Sequence, residues 1–132
     1  MLGAVATLAG LHHVALSVSD LDTSIDWYRE VLGLHEEVRL AGGDRRWAIL
    51  RLPDGRQVGL VEHQNPGAAF RPQNLGLDSV AFSVASGEEL ASWAAALHER
   101  GIESSGVIET PFGGMLHLKD PDGIALALFW NR

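Results

Sequence analysis

Six histidines, seventeen carboxylates and no cysteine define the chemistry open to this chain of 132 residues. A metal would have to be held by imidazole or carboxylate, a thiolate nucleophile is excluded, and the lack of cysteine fits a reducing, cytoplasmic compartment. His13 is the histidine with the most informative surroundings. It sits in Leu11-His12-His13-Val14-Ala15-Leu16-Ser17-Val18, and that stretch returns 66 positions later as Leu77-Asp78-Ser79-Val80-Ala81-Phe82-Ser83-Val84. Ser79 therefore stands where His13 stands. Trp27 and Trp93 are also 66 apart, and Pro-Asp-Gly recurs at 53–55 and 121–123. One unit written twice means duplicated supersecondary modules packed together, and the same comparison sets Gly59 against Ala127. His117, late in the second unit, is the other histidine in a position to act; His12, His35 and His98 read as surface residues.

The elements that must position these groups follow from periodicity. Alternation over 11–18 puts Val14, Leu16 and Val18 on one face of a strand and His13, Ala15 and Ser17 on the other. Asp20 reads as the N-cap of a helix from Leu21 to Leu32, with Leu21, Ile25, Tyr28 and Leu32 as its buried stripe and Gly33 as its stop. Strands follow near 36–40, 46–52 and 57–63. A segment rich in Pro and Asn, 64–75, links this first module (about 11–63) to the second (about 76–131). There the strand 77–84 precedes Ser86-Gly87-Glu88-Glu89, a capping box that opens a helix with Leu90, Trp93, Ala94 and Leu97 inward and Gly101 at its end. Strands near 104–108, 115–119 and 124–130 complete the module, with 109–114 as a loop. The fold class is α+β: two tandem βαβββ modules forming one domain over 1–132, with curved mixed sheets around a shared cavity and helices on the outer face.

With the helices on one face, the other face of each sheet is free to line a pocket. The alternation names its lining as His13, Ala15, Ser17, Trp47, Ile49, Gly59 and Val61 from the first module. From the second it names Ser79, Ser83, Met115, His117, Ala125, Ala127 and Phe129. His63 is a borderline member. Phe112, Trp130 and Phe70 offer further flat faces, or else core and dimer packing. Gly113-Gly114 beside Phe112 reads either as a flap or as a plain turn.

Charge bounds the partners. A net charge of -7, with Arg45-Arg46 as the densest basic pair, argues against nucleic acid or an anionic membrane surface. The apolar run Met1 to Gly10 carries no Lys or Arg and is too short to span a bilayer, so it reads neither as a signal peptide nor as an anchor. Within it, Val5 to Leu8 has the character to pair with a sheet edge or cover a partner subunit, or to fray. Gly42-Gly43 before Asp44 is a turn rather than a phosphate loop, and the serines sit on strands rather than on a nucleophile elbow.

His13-Val14-Ala15-Leu16-Ser17-Val18-Ser19-Asp20-Leu21, Trp27-Tyr28-Arg29-Glu30-Val31-Leu32-Gly33-Leu34 and Asp120-Pro121-Asp122-Gly123 together resemble the vicinal oxygen chelate superfamily. This group holds glyoxalases, extradiol dioxygenases, methylmalonyl epimerases and bleomycin and fosfomycin resistance proteins. The resemblance runs from about Leu11 to Trp130. It implies paired βαβββ modules around a cavity, dimerisation, and in the enzymes a divalent metal acting as a Lewis acid on substrate oxygens. The family's ligand positions fall at His13, Gly59, Ser79 and Ala127. His13 matches, whereas Gly and Ala have no side-chain donor and a neutral Ser is a poor ligand. The expectation is therefore no metal at the usual position. A rescued site would use His13, His117 and Glu62 or His63, with Zn, Ni, Mn or Fe.

Small residues at those positions enlarge the cavity and make it less polar, which suits an organic guest. The reading is a homodimeric protein of the glyoxalase/bleomycin-resistance kind. It would bind a neutral or weakly charged, partly aromatic small molecule oriented by His13 and His117. Ser17, Trp47, Ile49, Gly59, Val61, Ser79, Ser83, Phe112, Met115, Ala127 and Phe129 would be in contact with it. The alternative is an enzyme of lyase, isomerase or dioxygenase type, using a rescued metal or acid-base chemistry by the two histidines.

Overall fold

The computed structural model describes Gly3 and residues 6–132. The start of the Val5 to Leu8 segment lies outside the described residues, and Leu8 itself is 90 % exposed and in no strand. The chain runs β1 (His13–Ser17), α1 (Leu21–Glu30), β2 (His35–Gly42), β3 (Arg45–Arg51), β4 (Gln57–His63), β5 (Val80–Ser83), α2 (Gly87–Glu99), β6 (Ile108–Thr110), β7 (Gly113–Lys119) and β8 (Ala125–Asn131). Strand, helix and three strands thus occur twice. Each set of four strands forms its own open mixed sheet, ordered β1-β4-β3-β2 and β5-β8-β7-β6. The first strand of each module lies parallel to the last, and the remaining pairs are antiparallel. No helix among the described residues is long and apolar enough to cross a membrane.

The helices start where the sequence places their caps. Asp20 accepts from the Thr23 N–H and Ser86 from the Glu89 N–H, satisfying donors that the first turn leaves unpaired. Both end on a glycine with positive φ, Gly33 at 73° and Gly101 at 69°, a conformation that costs other residues more. α1 ends at Glu30, short of the expected Leu32, and Ser24 joins Leu21, Ile25 and Tyr28 in its buried stripe. That stripe covers β2, β3 and β4, while α2 covers β7 and β8 through Leu90 and Leu97. Leu16, Leu50, Val58 and Leu60 from one sheet and Leu116, Leu126 and Leu128 from the other complete a single apolar cluster. Burying each such side chain contributes about 1.5–3 kcal/mol.

The modules are also joined by polar contacts that pattern reasoning missed. Tyr28 Oη donates to Asp120 Oδ2 at 2.8 Å with both residues buried, and the Ser19 N–H donates to Asp122 Oδ2 at 3.0 Å. Arg100 Nη1 reaches the Glu30 carbonyl at 2.7 Å. The Asp120-Pro121-Asp122-Gly123 turn of module two therefore holds α1 of module one at both ends, just before its start through Ser19 and in its last turn through Tyr28.

Strand ends differ from expectation for one physical reason. β1 begins at His13 rather than Leu11 because His13 pairs with Gln57, the first residue of β4, and earlier residues face the Pro53-Asp54-Gly55 turn. β5 begins not at Leu77 but at Val80, where pairing with Leu126, the second residue of β8, starts. In the expected strand 104–108 Ser104 forms an isolated bridge to Leu118 and only Ile108 joins a strand, as the first residue of β6, which covers 108–110. The expected loop 109–114 is thereby corrected to a tight hairpin whose turn is Pro111 and Phe112.

The flap reading of Gly113-Gly114 is corrected with it. Both lie in β7, pressed on Trp130: a Cβ on Gly113 would stand 2.0 Å from the Trp130 carbonyl oxygen, and one on Gly114 would stand 2.7 Å from Trp130 Nε1. These glycines are small for closeness, not for mobility. Gly113→Ala is expected to destabilise the protein by about 1–3 kcal/mol in urea denaturation, the usual cost of overpacking. An unchanged midpoint would show that this end of β7 yields freely.

Candidate functional site

Alternation along β1, β3 and β4 puts Leu16, Ala48, Leu50, Val58 and Leu60 under α1, which leaves His13, Ala15, Trp47, Ile49, Gly59 and Val61 on the free face. These line a hollow of about 310 Å³ with His12, Arg45 and Gln57. Its floor is small because Gly59 pairs with Ala15; a Cβ on Gly59 would meet the Ala15 Cβ at 3.4 Å. At one end His12 Nδ1 and His13 Nδ1 lie 2.8 Å apart, so one ring donates and the other accepts. The Arg45 guanidinium lies over the Trp47 ring, 5.0 Å from its centroid.

His117 lies on the free face of the other sheet. It lines a separate hollow of about 480 Å³ with Glu103, Ser104, Ser105, Lys119 and Ala125. The strip before β6 is fastened here, since the Ser105 N–H donates to the His117 carbonyl and the His117 N–H to Ser105 Oγ, each at 2.9 Å. Met115, Phe129 and Ser83 continue the same face as a row of paired neighbours, without lining that hollow. Ala127 is 2 % exposed between Ala81 and His117. Ser79 is exposed, one residue before β5. Phe112, at the tip of its hairpin, is 79 % exposed and lines neither hollow. Ser17 and His63 share a third hollow with Phe70 of the linker. Trp130 turns to the other side of β8, against Gly87 and Gly114.

The register repeats the internal equivalence: Gly59 pairs with Ala15, and Ala127, 68 positions after Gly59, pairs with Ala81, 66 positions after Ala15. Those two positions, with His13 and Ser79, offer a metal only one strong donor. The substitutes do not assemble either. Glu62 points to the helix side, where Oε1 accepts from the Leu21 N–H at 3.1 Å and Oε2 from Arg46 Nε at 2.8 Å. His63 and His117 line hollows different from that of His13. Among the described residues no three His, Asp or Glu side chains converge. The donor set of one chain does not fit a divalent metal held in the family manner.

Several lining residues escaped the sequence. Gln57 and Lys119 are in phase with Gly59 and His117 at the ends of the expected strands 57–63 and 115–119, so carrying the alternation to those ends would have found them, and Arg45, in phase with Trp47, lies one residue before the expected 46–52. His12 is out of phase and enters only because pairing starts at His13. Ser105 and Glu103 lie outside any strand, where alternation says nothing.

The family model described as Glyoxalase/Bleomycin resistance protein/Dioxygenase superfamily matches residues 10–128. Among solved structures, a glyoxylase/bleomycin resistance protein/dioxygenase domain from Frankia sp. EAN1pec is 38 % identical, covers 96 % of this chain and 100 % of its own, and superposes with a TM-score of 0.89. A glyoxalase family protein from Enterococcus faecalis is 27 % identical over 92 % of this chain and 98 % of its own, with a TM-score of 0.76. A likeness of fold alone extends to a mutant of the fosfomycin resistance protein FosX of Listeria monocytogenes, solved with Mn(II) and 1S,2S-dihydroxypropylphosphonic acid. It is 19 % identical over 96 % of this chain and 95 % of its own, with a TM-score of 0.71. Curated proteins give no match.

Proposed function

The chain belongs to the glyoxalase/bleomycin resistance protein/dioxygenase superfamily, and we propose that it is a binding member: a cytoplasmic homodimer that takes a small, partly aromatic organic molecule without a divalent metal. One observation carries this reading. The two positions at the centre of the free faces, Gly59 and Ala127, have no donor to give, and the hollow around Gly59 is lined by Trp47, Ile49 and Val61. An apolar concavity with a few polar groups at one end suits an organic guest better than an ion. The reading assigns closure of the cavity to a second copy, whose His117 face covers the His13 face. That arrangement would unite hollows that are separate within one chain.

A second reading, an enzyme of lyase, isomerase or dioxygenase type, is favoured by the proton shared between His12 and His13, which gives the hollow a group able to move a proton. One set of measurements separates the two. The protein as isolated, and after exposure to Zn, Ni, Mn and Fe(II), is expected to carry no stoichiometric metal. Its mass in solution is expected to be twice 14.2 kDa. Small molecules that raise its melting temperature should be recovered unchanged, and His13→Ala should weaken them by about 0.5–1.5 kcal/mol, the worth of one neutral hydrogen bond. Metal-independent conversion that falls by about two to four orders of magnitude in His13→Ala would establish the enzyme instead. One equivalent of metal, lost in that variant, would overturn the metal-free assignment.

A further inference from the structure

Basic side chains are scarce in this chain, ten against seventeen carboxylates, and most are spent. Arg29, Arg39, Arg46, Arg51, Arg56 and Arg132 each lie at ion-pair distance from an Asp or Glu. Arg45 is different. Among the described residues its guanidinium makes no ion pair and no hydrogen bond, and it is held instead over the Trp47 ring at the rim of the module-one hollow. An arginine positioned by an aromatic face keeps its N–H fork unspent, and that fork matches a carboxylate in two parallel bonds. The hollow itself contains no Asp or Glu. Within a chain of net charge -7 it is thus a local positive site.

The histidine pair adds a donor by necessity. With Nδ1 of His12 and Nδ1 of His13 at 2.8 Å, whichever ring accepts has a bare Nδ1 and so carries its proton on Nε2 when neutral. At least one imidazole N–H therefore points away from the pair. From these features we infer that the guest of the module-one hollow is a planar organic carboxylate. Its ring lies against Trp47 and Ile49, its carboxylate is held by Arg45, and a histidine Nε2–H supplies a further bond. The hollow of about 310 Å³ has room for one or two fused rings. The inference rests on the proposed binding function and narrows the neutral or weakly charged guest expected from sequence to an anionic one.

Isothermal titration with matched acids and amides tests it, using benzoate against benzamide and 2-naphthoate against 2-naphthamide. The acids are expected to bind at least about tenfold more tightly, as charge-assisted bonds are worth more than neutral ones. Arg45→Met, which keeps an apolar chain over Trp47, should erase that preference. Arg45→Lys should keep part of it, and Arg71→Met, in the linker, all of it. Circular dichroism checks that each variant is folded. Acid and amide bound equally well would overturn the anionic guest while leaving the binding function standing. So would a preference that survives Arg45→Met. Failure of all four compounds to bind would remove the hollow as a guest site and the inference with it.

Discussion

Asp120→Ala is expected to cost the fold at least about 3 kcal/mol, and Asp120→Asn far less. Asp120 is only 5 % exposed and accepts three hydrogen bonds: from Tyr28 Oη at 2.8 Å, and from the Asp122 and Ile124 N–H groups at 2.9 Å each. Alanine leaves two backbone donors and a buried phenol without an acceptor, and each such loss costs about 1–3 kcal/mol. Asparagine keeps both backbone bonds through its oxygen and donates its amide to the tyrosine oxygen, which leaves only the phenol proton without its acceptor. The pH dependence has a definite sign. Burial raises the Asp120 carboxyl above the ordinary value of 3.8, outweighing the hydrogen bonds from Ile124, Tyr28 and Asp122 that favour its charged form. A carboxyl raised on folding favours the folded state while protonated. Its contribution is fully present below the ordinary value and is lost as pH rises through the raised one. Urea denaturation of wild type and Asp120→Asn across that range should show wild type losing ground to the variant as pH rises. Equal stability of the Ala and Asn variants would sink the argument. The Tyr28 hydroxyl stays a donor throughout, since burial and the Asp120 charge push its pKa far above the ordinary phenol range.

The contrast between this clasp and the helices shows what a single sequence makes legible. Asp20 and Ser86 announced both helix starts because a cap is a local event, decided within three residues. The free face was legible from alternation, and Trp47, Ile49, Gly59 and Val61 lie together as expected. Tyr28 and Asp120 were visible only as a helical stripe and a turn, because 92 residues separate them and no periodicity reports that distance. Glu62 fails as a candidate ligand because its phase sends it to the helix side, where its cross-strand neighbour Arg46 and the N-terminus of α1 claim it. Phe112 was placed by a loop that pairing turned into a hairpin. Arg45 lay one residue beyond the expected strand end, and that one residue hid the positive rim of the hollow.

Gly59→Glu is expected to weaken any guest of the module-one hollow at least about a hundredfold, roughly 2.8 kcal/mol. Gly59 lies in mid-floor, paired with Ala15 on one side and Ile49 on the other, so a side chain there rises into the space a ring would fill. The backbone tolerates it, because the added Cβ meets Ala15 at 3.4 Å, an ordinary contact. The equivalent substitution in module two, Ala127→Glu, does not reach this hollow, since Ala127 lies on the other sheet between Ala81 and His117, and its readout is less clean. With Ala127 only 2 % exposed, a charge placed there is buried without a partner, and lost affinity would be mixed with lost stability. Gly59→Gln completes the test, since it fills similar volume without charge. Loss in both variants, at melting temperatures near that of wild type, assigns the guest to this hollow by occlusion. Loss in Gly59→Glu alone would mean that the new carboxylate acts by charge on a guest bound at the rim, beside Arg45. Full affinity in both would place the guest elsewhere, and the module-two hollow around His117 and Lys119 is where it would then be sought.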